Sequence, residues 1–287
     1  MFRGRYEVLV FGKRRKIDRI FQLRIPSQID IRVGQGRILL FPSAKVEVYA
    51  ESLDELHRLK VLVEIAISRA TGWMDYRLDK LDEFDLTSGK RVRQAGGFDP
   101  DFSIRSFVLD KKLYHDTVIR LGDSSYESIL FLGRANDFLQ SQHAEVASFS
   151  ALTALELELN RAIPTSGLQI RQKLEVLRFL QRLQAKSLDQ ITALYTLRNK
   201  LAHGDWTGKR FVAILAKALG GSQKHWTLRE SNRMSTRSSE RIVEAVIDLL
   251  PCVSGLSRPI LRDQKTAGSE NSLRQLDGST NKKGMMT

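Results

Sequence analysis

Apolar and polar residues alternate along the first fifty positions and then change period. Ile29-Asp30-Ile31-Arg32-Val33 and Val46-Glu47-Val48 repeat every second residue, as strands with one buried face do. Gly34-Gln35-Gly36 between such runs predicts a hairpin connection, and Gly12-Lys13-Arg14-Arg15-Lys16 punctuates an earlier pair, Tyr6 to Phe11 and Ile17 to Ile25. Ser52-Leu53-Asp54-Glu55 is a capping box, in which Ser52 accepts from the third backbone N–H while Glu55 reaches back. Leu56, Leu59, Val63 and Ile67 then keep a helical period until Gly72. From Trp73 to about Asp101 the pattern lapses into acidic and glycine-rich stretches, before a last predicted strand from Ser103 to Leu109.

Around Gly122 the character changes. Leu, Ala, Glu, Arg and Gln, all good helix formers, dominate from Ser125 to Gln184 with one interruption, Pro164. Helices are predicted near 125–141, 144–162, 167–185, 188–203 and 238–250, while 208–219 reads as a short helix or a strand. Beyond Pro259 the chain has too few apolar residues to bury and reads as disordered. The expected fold is therefore α+β: a small β-rich domain with a helix at 1–121, a helical bundle at 122–255, and a tail at 256–287.

Composition narrows the class. The 287 residues suit two domains with a sizeable core, and six prolines leave room for long helices. Forty-six Lys and Arg against 33 Asp and Glu give a net charge of +13, which favours a polyanionic partner, nucleic acid or an anionic membrane surface. The single Cys252 forbids an intrachain disulfide and any all-cysteine metal site, fits a reducing compartment, and reads as a small packed residue. No apolar run approaches the roughly 18 residues of a membrane span, and the amino terminus has only a short apolar stretch before its basic run. These features speak against secreted disulfide scaffolds, integral membrane proteins and zinc fingers; a cytoplasmic location is expected.

The helix at 188–203 carries a conflict of pattern. On a helical wheel Ile191, Leu194, Leu197 and Leu201 form one apolar arc, and Arg198 falls inside it. A guanidinium there needs an acidic partner or an anion, because burying it unpaired is too costly. Asn199 and His203 are four apart, so the amide can orient the imidazole, while Ala202 leaves a shallow floor and Gly204 supplies a cap. A second wheel over 146–163 places Glu156 among Phe149, Leu152, Leu155, Leu159 and Ile163. Arg198 is the obvious cation for it. The alternative is a structural Glu–Arg pair beside a surface histidine.

Leu194-Tyr195 followed by Leu197-Arg198-Asn199-Lys200-Leu201-Ala202-His203-Gly204 resembles the R-N-x-x-x-H signature of HEPN domains. With Ala154-Leu155-Glu156 on an upstream helix, the pattern is most similar to the Apea-like group, over about residues 122–255. The resemblance implies a bundle of four or five helices, dimerising through the motif helices. It also implies, for many members, a metal-independent ribonuclease of toxin, abortive-infection or phage-defence systems. By it Arg198 would bind the scissile phosphate, His203 would serve acid–base catalysis and Asn199 would hold geometry, with Glu156 and Tyr195 in support. The expected partners are RNA rather than a membrane, a second copy of the chain, and a regulator or antitoxin; no cofactor is expected. A non-catalytic HEPN module that binds nucleotide or RNA, or only dimerises, is the alternative.

Other signals are weaker. Lys13, Arg14, Arg15 and Lys16 could contact RNA phosphates, or be an exposed turn that aids solubility. Gly34-Gln35-Gly36 lacks the third glycine of a dinucleotide fingerprint. Asp75, Asp79, Asp82 and Asp85 lack the glycine and terminal glutamate of a calcium loop, and read as a solvated acidic face. His57, His115, His143 and His225 have no zinc-site spacing. Trp73, Trp206 and Trp226 read as anchors, with Trp206 placed to stack on a base near His203.

Overall fold

The computed structural model describes residues 1–10, 20–73, 76–94, 102–165, 167–204, 208–220 and 234–257. Its fold is α+β, an amino-terminal sheet with a helix followed by a largely helical region. The strands are β1 (Phe2–Val10), β2 (Ile20–Arg24), β3 (Ile29–Val33), β4 (Gly36–Leu40), β5 (Lys45–Ala50), β6 (Tyr76–Asp85), β7 (Lys90–Gln94) and β8 (Phe102–Val108). The helices are α1 (Leu53–Ala70), α2 (Lys111–Leu121), α3 (Tyr126–Gln140), α4 (Ala144–Ala162), α5 (Ile170–Phe179), α6 (Ala185–Ala202), α7 (Gly208–Leu219) and α8 (Thr236–Ser254).

All eight strands join one sheet along the path β3-β4-β5-β1-β2-β8, with β6 on the other edge of β1 and β7 beyond it. The ladders are antiparallel except β2 with β8, which is parallel. The long β1 binds β5 from Phe2↔Ala50 to Glu7↔Lys45 and β6 from Phe2↔Asp85 to Val10↔Tyr76. Alternation along β3 buries Ile29, Ile31 and Val33 and turns Asp30 and Arg32 to solvent. Helix α1 covers the inner face with Leu56, Leu59, Leu62, Val63 and Ile67. A Cβ on Gly36 would lie 2.4 Å from Leu59 Cδ1 and 3.1 Å from Tyr49 O, so a side chain there would make Leu59 move.

Local rules account for several helix ends. Ser52 Oγ accepts from Glu55 N at 3.1 Å, but the Glu55 carboxylate turns to the Arg58 guanidinium at 2.7 and 2.8 Å, so half of the expected capping box forms. Helix α5 stops at Phe179 rather than continuing to 185, because Gln181 takes a positive φ of 50° and the chain turns before α6. Segment 208–219 is helical, burying Phe211, Leu215 and Ala218 at helical spacing. Helix α8 continues through Pro251 to Ser254 and leaves Cys252 exposed, not packed.

Three elements lie where no regular pattern was expected. The acidic stretch after Trp73 forms β6 and β7, and a register shift opposite Arg5 and Tyr6 skips Leu81, which accordingly stands 36% exposed. That bulge breaks the period-two signal. Asp82 in β6 is only 3% exposed and is ion-paired with Arg5, which corrects its reading as part of a solvated face. Asp85 accepts from Thr87 N and Ser88 Oγ in the β6–β7 turn. Helix α2, capped by Asp110 Oδ1 accepting from Leu113 N, packs between α1 and α8. One continuous apolar cluster runs from the sheet through α1 and α2 into α3, α4, α6 and α8. Among the described residues no helix is long and apolar enough to cross a membrane.

Candidate functional site

Helix α6 buries Leu188, Ile191, Ala193, Leu194, Leu197 and Leu201 against α4, α5 and α7. That apolar stripe sets the rotation of the helix and so the direction of every residue between its members. Tyr195 packs half-buried on the core. His203 is the helix cap, its N–H donating to Asn199 O at 3.1 Å, and Gly204 follows with φ 69°, the left-handed conformation that ends helices at glycine. Arg198 and His203 are five residues apart, a rise of about 7.5 Å along the helix.

Arg198 and Glu156 meet. Arg198 Nη2 lies 3.0 Å from Glu156 Oε2, with the side chains 27% and 22% exposed. The approach is close but off-axis: Glu156 Oε2 and Arg198 Nε are both buried atoms without a hydrogen-bond partner. Phe149, two turns before Glu156 on α4, lies under the guanidinium, with Cζ 5.4 Å from the ring centre. Arg198 Nη1 also approaches Asn199 Oδ1 at 3.4 Å. The cation is thus seated on an aromatic floor, braced by a carboxylate on one side, and left with donor capacity.

The amide of Asn199 therefore turns to Arg198, whereas it was expected to orient His203. The His203 side chain is exposed and has no hydrogen-bond partner among the described residues. Lys13, Arg14, Arg15 and Lys16, Trp206, Trp226, His225 and Asp75 lie outside the described residues. Trp73 is an anchor, its Nε1 donating to Glu244 on α8 at 3.1 Å. Among the described residues no group of three or more His, Cys, Asp or Glu side chains could hold a metal ion.

A more deeply buried carboxylate lies two residues further along α4, on the opposite face of the helix. Glu158 is 0% exposed; its Oε1 accepts from Ser125 N at 2.5 Å and its Oε2 from Ser254 Oγ at 3.2 Å, with Arg161 Nη1 at 3.5 Å. It ties the start of α3 and the end of α8 to α4. The leucine wheel missed it because α4 is buried on a second face. Ala147, Ala151, Ala154 and Glu158 recur at helical spacing, and that stripe of small residues was the available signal.

A cavity of about 410 Å³ lies elsewhere, between the first turns of α1 and β1, β6 and β7, walled by Tyr6, His57, Lys60, Lys80 and Glu83. Its cations are already engaged, Lys60 with Glu64 at 2.9 Å and Lys80 with Glu83 at 2.8 Å. Arg198, by contrast, keeps a buried Nε without a hydrogen-bond partner. Compared with family models, curated proteins and solved structures, the chain shows no match.

Proposed function

We propose that the helical half is a metal-independent endoribonuclease of HEPN type, acting as a homodimer. The observation that carries this reading is the under-satisfied Arg198, whose Nε makes no hydrogen bond although Glu156 lies against it. A purely structural pair would close both edges of the guanidinium fork on the carboxylate. An anion such as a phosphodiester can take the remaining donors. His203, exposed at the end of the same helix, supplies an imidazole that can move a proton near neutral pH. Attack of the neighbouring ribose 2′-hydroxyl needs one group to accept a proton and another to protonate the leaving 5′-oxygen. Each copy offers one histidine at this place, so two copies facing each other complete the pair. Placement in a toxin or phage-defence system, with a neutralising regulator, follows only from the HEPN resemblance.

The test is cleavage of total RNA in EDTA by purified wild-type and His203→Ala proteins, with circular dichroism on both. Loss of cleavage by about 10²–10⁴-fold in a folded His203→Ala chain supports the reading. Equal cleavage rejects His203 as catalyst. RNA binding without cleavage favours the non-catalytic module.

A further inference from the structure

The solvent face of the sheet carries a second arrangement of cations, fixed by strand register. Arg32↔Arg37, Arg37↔Tyr49, Tyr49↔Arg3, Arg3↔Phe84 and Phe84↔Arg91 are successive cross-strand partners. Since partners on adjacent strands share a face, these six residues form one row across β3, β4, β5, β1, β6 and β7. At about 4.8 Å per strand the row spans roughly 24 Å. Arg32, Arg37 and Arg91 are exposed; Tyr49, Arg3 and Phe84 are half-buried. The Phe84 ring stands between two guanidiniums, with Arg3 Cζ 5.4 Å and Arg91 Cζ 5.2 Å from its centre.

The neighbouring row holds the counter-charge, in Asp30, Glu47 and Asp82. Asp30 binds Arg37 at 2.6 Å, Glu47 Oε2 accepts from Tyr49 Oη at 2.8 Å, and Asp82 binds Arg5. Arg5 is the main partner that holds the Asp82 carboxyl below the usual aspartate range, and the charges of Arg3 and Arg91 add to the shift. Arg3 Nε is buried with no hydrogen-bond partner, and Arg32 has no ion pair among the described residues.

We propose that this row binds single-stranded RNA, its arginines taking consecutive phosphates and its aromatic-guanidinium stack meeting unpaired bases. Interleaved cations and aromatics suit a single strand, because a duplex hides its base faces. The row is long enough for about four nucleotides, the low end of known site sizes. The inference rests on RNA being the partner, as in the ribonuclease reading, but not on cleavage. It places the binding surface on the described sheet.

The test uses the full chain carrying His203→Ala, so that RNA stays intact, and a labelled single-stranded RNA of about twelve nucleotides, followed by fluorescence anisotropy across a salt titration. Arg32→Gln with Arg91→Gln is expected to weaken binding about tenfold and to lower the salt slope by about 1.4, two phosphates at about 0.7 each. Arg32→Gln alone removes an exposed side chain, keeps the fold, and should lower the slope by about half as much. The control, Arg171→Gln with Arg178→Gln on exposed α5, removes the same net charge and should leave the slope unchanged. Equal losses in row and control variants, or a preference for duplex, overturn the proposal. A His203→Ala chain that binds no RNA overturns this and the ribonuclease reading together, whereas a wild-type chain that binds RNA without cutting it removes only the latter.

Discussion

Arg198 Nη2 lies 3.0 Å from Glu156 Oε2 on the neighbouring helix, while Nε of the same guanidinium has no hydrogen-bond partner. The pair is held in place without being used up. Arg198→Lys should therefore fold normally and cleave RNA at least about tenfold more slowly, since an ammonium cannot present the planar fork. Arg198→Ala should also lose about 1–3 kcal/mol of stability by stranding Glu156 Oε2 among α4 side chains. Thermal melts beside single-turnover rates separate the two effects. An Arg198→Lys protein that cleaves at the wild-type rate would count against a phosphate-binding fork.

If Arg198 and His203 act on a ribose-linked phosphate, the products should carry a 2′,3′-cyclic phosphate and a 5′-hydroxyl. A substrate with 2′-deoxyribose at the scissile position should resist cleavage. Mass spectrometry of fragments formed in EDTA reads both outcomes, and cleavage of the deoxy substrate would rule out the internal nucleophile.

Completion of the site by a second copy predicts a particle twice the 32.7 kDa chain mass in light scattering at micromolar concentration. Mixed dimers of His203→Ala and wild-type chains should then fall well below the mean activity of the two parents. A fully active monomer would remove the need for two histidines.

Glu158 should matter for stability rather than turnover. Glu158→Ala leaves the Ser125 N–H without its buried acceptor, while the Ser254 hydroxyl keeps Leu250 O at 2.9 Å, at a cost of about 1–3 kcal/mol. Urea titration should show a lower midpoint with an unchanged slope. An unaltered midpoint would mean that water or a neighbour replaces the carboxylate.

Burial, aided by the Glu64 carboxylate and opposed by Lys60, pushes Asp137 on α3 from the usual 3.8 up to about 6. The folded chain therefore binds more protons than the unfolded one between these values, so this residue's contribution to stability falls as pH rises from about 4 to 6. Because Asp137 is exposed at the surface of α3, screening cuts the effect to at most about 1 kcal/mol. Asp137→Asn should raise stability at pH 7 by up to that amount, with little change at pH 4, in paired denaturant titrations.

The sequence by itself determined the elements whose signal is local. The period-two runs of β3 and β5, the cap at Ser52, the helices α3 and α4, and the end of α6 at Gly204 follow from residues within a turn or two of one another. The meeting of Glu156 with Arg198 was legible too, because a charge inside an apolar arc must find its opposite on whatever helix packs there. Tertiary structure decided what depends on partners distant in sequence. Strand β6 hides its period behind a bulge and exists because β1 offers it an edge. Glu158 is buried because α3 and α8 converge on the alanine face of α4. Asn199 faces Arg198 rather than His203, a choice between two neighbours equally open to it in the sequence. The row from Arg32 to Arg91 exists only through the register of six strands, since residues from 3 to 91 share a face only when five ladders align.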